Sequence, residues 1–147
     1  MQTTIDINGQ PVQITLTKDQ VEQVMKASKD DAQTMYEAAS AQLGRKIYTL
    51  EDFAFLPEED RQAFYSLYRI TTAIKAQKKG VKLDYANGNQ KKHYPWFLRA
   101  GSGFSLLAVD YAGTLTAVGA RLSSKDVEDV KAVVNAMQKD YNNWLSE

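Results

Sequence analysis

Leu56-Pro-Glu-Glu-Asp-Arg-Gln-Ala-Phe-Tyr-Ser-Leu-Tyr-Arg-Ile-Thr-Thr-Ala-Ile-Lys-Ala-Gln-Lys-Lys-Gly80 reads as one long helix, and the rest of the fold is organised around it. Proline suits a first helical turn, where its missing N–H would have no partner anyway. The acids Glu58, Glu59 and Asp60 complement the positive end of the helix dipole. Phe64, Leu67, Tyr68, Thr71, Ile74 and Ala76 recur at near-helical spacing, which predicts one buried stripe on a helix over roughly 57 to 79. A helix of that length needs partners on its apolar side, so it is expected to be the centre of the core.

Upstream, Thr3 to Leu16 alternates apolar and polar residues on both sides of Asn8-Gly9, a strong two-residue hairpin signal. With those two at the centre of the turn, Ile5 lies opposite Val12. Thr17-Lys-Asp-Gln20 reads as a capping box that opens a helix carrying Val21, Val24, Met25 and Ser28. A second, alanine-rich helix is expected from about Asp31 to Leu43, with Gly44 taking a left-handed conformation at its end. Downstream, Phe104 to Val109 and Thr114 to Leu122 look like two strands joined by Asp110-Tyr-Ala-Gly113. A last helix then carries Val127, Val130, Val134, Met137, Tyr141 and Trp144. The expected architecture is a single α+β domain, 1–147: an N-terminal β-hairpin, about four helices with a long central one, and a C-terminal β-hairpin followed by a final helix.

Composition narrows the function classes. With 147 residues and 44% hydrophobic content the chain can build a real core, and no apolar run approaches the roughly 20 residues of a membrane span. Met1-Gln-Thr-Thr-Ile-Asp-Ile lacks a basic start and an apolar segment, so a cytoplasmic location is expected. Zero cysteines exclude disulfides, thiolate metal sites and cysteine nucleophiles. His93 is the only histidine, which rules out a multi-histidine metal site, and no nucleophile-elbow or phosphate-loop motif accompanies it. A binder without catalytic residues, metal or cofactor is the expectation.

Candidate binding residues cluster late in the chain. Charge is balanced at 18 basic and 18 acidic residues, yet Lys75, Lys78, Lys79, Lys82, Lys91, Lys92 and Arg99 face only Asp84 within their stretch. Lysines near a helix C-terminus also complement its dipole, so structure accounts for part of this run. In His93-Tyr-Pro-Trp-Phe97 the proline stiffens the backbone that carries the rings. Trp96 and Phe97 are expected to pack on the long helix, leaving Tyr85, His93 or Tyr94 accessible near Lys91, Lys92 and Arg99. Gly101-Ser102-Gly103 is either a fragment of a phosphate-cradling turn or a strand entry. Arg121 is expected on a strand face shared with Leu115, Ala117 and Gly119, where small neighbours leave room for an anion or for an ion pair with a helix carboxylate. The expected ligand set is therefore Tyr94, Trp96, Lys92, Arg99, Ser102, Gly103 and Arg121.

Five blocks carry a resemblance: Ile7 to Gln20, Phe55-Leu-Pro-Glu-Glu-Asp-Arg61, His93-Tyr-Pro-Trp-Phe97, Gly101-Ser-Gly-Phe104 and Val118-Gly-Ala-Arg-Leu122. In that order the chain resembles a family of small uncharacterised proteins from phages and prophages of Bacteroidetes. Here the segment from Phe104 to Leu122 is less aromatic than in the family, and Ser123-Ser124 stands where the family has a cysteine–aromatic pair. The resemblance implies an accessory gene of a mobile element, with host defence components, signalling nucleotides, nucleic acid or virion parts as partners. Three functions are weighed on that basis. One is sequestration of a small phosphorylated ligand such as a signalling nucleotide, for which a homo-oligomer would be natural. Another is a protein-interaction or virion-associated module, and the last is nucleic-acid binding through Lys75 to Arg99.

Overall fold

The computed structural model describes residues 2–7, 10–15, 17, 30–101, 103–114 and 119–146. They belong to two compact units, 1–30 and 31–147. In the first, strand β1 (Gln2–Ile7) pairs antiparallel with β2 (Gln10–Thr15), and Ile5 is opposite Val12 as the Asn8-Gly9 turn requires. The expected helix after Thr17 lies outside the described residues.

The second unit is built on four described helices and one hairpin: α1 (Asp31–Gln42), α2 (Glu58–Gln77), β3 (Lys92–Ala100), β4 (Gly103–Ala112), α3 (Val127–Ala136) and α4 (Gln138–Leu145). Helix α1 ends as its sequence predicts. Gly44 sits at φ 61°, and the Arg45 N–H reaches back to the Ser40 carbonyl at 2.9 Å, closing the last turn. Helix α2 starts behind Pro57, with Glu58, Glu59 and Asp60 in its first turn.

The buried face of α2 differs from the predicted stripe. Ile70, Ala73, Ile74 and Ala76 are in the core, joined by Ser66 and Thr72, whereas Phe64 is 50% exposed. The helix is covered on more than one side, and at Ser66 a small polar residue lets α4 approach: the Asn143 amide donates to its hydroxyl at 3.3 Å. Tyr36 from α1 and Val130, Val133, Val134, Met137 and Tyr141 from the C-terminal helices complete the core, all fully buried. Burying such aliphatic and aromatic side chains contributes roughly 1.5 to 3 kcal/mol each, which makes this junction the main source of stability.

Two further expectations are corrected. The C-terminal hairpin is formed by β3 and β4, not by 104–109 with 114–122. His93-Tyr-Pro-Trp-Phe97 is itself the strand, with Pro95 opposite Val109 and a bulge between Trp96 and Phe97. A proline inside a run argues against a central strand. A two-stranded sheet is all edge, so the missing N–H is tolerated there. Leu115 to Val118 lie outside the described residues, and Ala120–Leu122 is a 3-10 turn that follows Gly119 at φ 74°. The single last helix is also two: Met137, at φ −113° and ψ 27°, interrupts it between α3 and α4 while remaining fully buried.

Candidate functional site

The turn Ala120–Leu122 inserts Leu122 into the core, which leaves Arg121 exposed beside the C-terminal end of α2. There, the chain leaving α1, the last turns of α2 and the segment 80–83 enclose a cleft of about 850 Å³. Five cationic side chains, Arg45, Lys75, Lys78, Lys82 and Arg121, line it together with Tyr68 and Thr71, and no carboxylate does. Among the described residues none of the five has a carboxylate within ion-pair distance. Asp84, just beyond the wall, turns its carboxylate to the Ala86 N–H at 2.8 Å.

The C-terminus of a helix carries about half a negative charge, so one or two lysines there answer the dipole. Five cations exceed that need several-fold. The Lys78 ammonium donates to the Ala120 carbonyl at 2.6 Å and so ties α2 to the turn that presents Arg121. Burial, followed by the charge of Lys75, holds the Lys78 pKa below its ordinary value. Arg45 donates to the Thr72 hydroxyl at 3.4 Å, which holds it against α2. An anion placed among these groups would relieve their mutual repulsion.

The structure separates the residues expected to act together. Arg121 lines the cleft, and Trp96 lines a different cavity. Lys92, expected at a ligand, is fully buried: its ammonium donates to the carbonyls of Asn87 and Gly113, each at 2.7 Å, and lies 5.3 Å from the Tyr85 ring centroid. Tyr94, expected to be accessible, is buried, while Trp96, expected in the core, is 49% exposed. Phe97 packs on Tyr141 of α4, ring centroids 4.8 Å apart, rather than on α2. Arg99 is exposed near the far end of β3. Ser102 lies outside the described residues, and Gly103 opens β4 against Asn142, whose side-chain oxygen accepts from the Phe104 N–H at 2.7 Å. His93 is engaged as well, its Nδ1 2.8 Å from the Lys125 carbonyl and its ring beside Tyr111.

Lys75, Lys78 and Lys82 belonged to the basic run seen in the sequence, but Arg45 did not. Its only signal was its place directly after the Gly44 helix stop, where the chain turns toward the end of α2. Among the described residues no group of three His, Cys, Asp or Glu side chains is placed to hold a metal ion, and no helix is long and apolar enough to cross a membrane. No family model, curated protein or solved structure matches the chain.

Proposed function

We propose that this protein binds a small phosphorylated ligand in the basic cleft and holds it without chemical conversion. The observation that carries the reading is the convergence of Arg45, Lys75, Lys78, Lys82 and Arg121 on one cavity with no carboxylate in its wall. A volume of about 850 Å³ suits a nucleotide-sized molecule. Arginine supplies a planar donor fork for phosphate and lysine a compact charge. Sequestration of a signalling nucleotide inside a host cell fits the resemblance to prophage proteins and remains part of the proposal.

Calorimetric titration with pyrophosphate, triphosphate and nucleoside triphosphates tests the reading. Arg121→Ala is expected to weaken binding at least tenfold, with affinity falling as salt rises, while the melting temperature moves by less than about 2 °C because the side chain is exposed. Absence of binding at millimolar ligand, or an unchanged affinity in the variant, refutes it. A second reading, a protein-interaction module, is favoured by the outward strip on the β3–β4 hairpin, where Trp96, Leu98 and Leu107 are 49%, 54% and 64% exposed. Nucleic-acid binding has less support, since the basic run is divided: Lys75, Lys78 and Lys82 line the cleft and Lys92 is buried.

A further inference from the structure

The five cations are not spread evenly along the basic cleft. Lys75 and Lys78 lie in the last turns of α2 and just after it, Lys82 in the segment that follows, and Arg121 comes next to Ala120, whose carbonyl receives the Lys78 ammonium. These four gather at the C-terminal end of the helix. Arg45 stands apart from them: the Gln42 amide donates to the Ala76 carbonyl at 2.9 Å and Arg45 to the Thr72 hydroxyl at 3.4 Å, so the chain leaving α1 runs back along α2 and carries Arg45 away from the group. Thr72 precedes Lys78 by six residues, about 9 Å along the axis at roughly 1.5 Å per residue. At the Arg45 end, the α2 residues that line the cleft are Tyr68 and Thr71, and Leu43 comes from the same stretch of chain as Arg45, so the wall there is apolar surface and neutral hydroxyls.

A cleft with four cations at one end and a neutral wall with a single arginine at the other matches a nucleotide lying lengthwise, its phosphates on the four cations and its base against Arg45. With Nη1 turned to Thr72, the Arg45 guanidinium keeps donors on Nε and Nη2 and has no acceptor. Such a parallel pair of donors fits two adjacent acceptors. Guanine presents these as O6 and N7, whereas adenine places an N6 donor beside N7 and would set one donor against another. Lysine, a compact point charge, makes no such distinction.

Given the phosphate reading proposed above, on which this rests, we infer that the ligand of the cleft is a guanine nucleotide and that Arg45 selects its base. Calorimetric titrations with GTP, ATP and inorganic tripolyphosphate test it. GTP is expected to bind about tenfold more tightly than ATP, the discrimination typical of one bidentate arginine–guanine pair. Arg45→Lys keeps the charge and loses the fork; it should abolish that preference while ATP and tripolyphosphate stay within about twofold of the parent. Arg45→Gln, with one donor beside one acceptor, should move the preference toward ATP. Equal affinity for GTP and ATP in the parent, or a preference for GTP that survives undiminished in either variant, would overturn the inference and leave the phosphate reading in place. Absence of tripolyphosphate binding would instead remove the phosphate reading and the base selection with it.

Discussion

Replacing Lys92 by methionine separates a brace from a ligand contact. The side chain is fully buried, and its ammonium joins the Asn87 and Gly113 carbonyls at 2.7 Å each, pinning the loop before β3 to the residue just after β4. Hydrogen bonds from a charged donor contribute about 1.5 to 3 kcal/mol each, so the gross loss is roughly 3 to 6 kcal/mol. Methionine keeps most of the stem and avoids the cost of burying a charge, which offsets part of that loss. About 2 to 4 kcal/mol should remain, because two carbonyls lose their donor. For a chain of 147 residues this corresponds to a fall in melting temperature on the order of 10 °C. Thermal unfolding followed by circular dichroism reads the first number, and triphosphate titration well below the melting point reads the second. The expected pair is a large stability loss with affinity unchanged. A melting temperature within about 2 °C of the parent, combined with weakened triphosphate binding, would refute the structural role and restore Lys92 as a ligand contact.

At the same junction, a Cβ added to Gly113 would lie 2.7 Å from the Gly88 carbonyl oxygen, a backbone atom with little room to move. Gly113→Ala should therefore cost about 1 to 3 kcal/mol in urea unfolding. Gly103→Ala should cost less, since its nearest neighbours at 3.2 Å are side-chain atoms of Asn142, and the reverse order would contradict the packing described. Lys78 predicts a pH dependence. Burial and the charge of Lys75 lower its folded pKa below 10.5, so the folded state favours the neutral amine. The resulting penalty is fully present at neutral pH and is relieved as pH rises through the lowered folded value toward the unfolded one, so this group's contribution to stability rises in that window. Anion binding has the opposite sign, because it needs the ammonium. Triphosphate affinity should fall from pH 7.5 to pH 10 more steeply in the parent than in Lys78→Arg, and parallel curves would remove Lys78 from the site.

What could be read from the sequence is what local chemistry dictates. Gly44 after an alanine-rich helix, acids behind Pro57 and Asn8-Gly9 between alternating strands each impose a backbone conformation on their own neighbours, and each element bounded by these signals is found where they place it. Helical spacing located α2 but not its buried side, because burial depends on what packs against the helix. Ser66 and Thr72 are buried where α4 and the chain after α1 meet the helix, while Phe64 stays half exposed. The hairpin was misplaced for a similar reason: His93-Tyr-Pro-Trp-Phe97 was read as a stiff segment carrying rings, and which run pairs with Phe104 to Val109 depends on contacts that spacing does not record.

The candidate site was legible in chemistry and not in place. Arg121 was singled out as an anion contact on the strength of a strand that the described residues do not continue, yet the 3-10 turn exposes it because Leu122, its neighbour, is drawn into the core. Lys92 shows the converse. Charge in a sequence marks a group that water or a partner must satisfy, and for Lys92 the partners are two carbonyls of its own chain. A basic run therefore states how many cations need a solution and leaves open which of them the fold satisfies internally. Lys75, Lys82 and Arg121, exposed on one cleft with no carboxylate within ion-pair distance among the described residues, are the ones it leaves to solvent, where the proposed ligand would meet them.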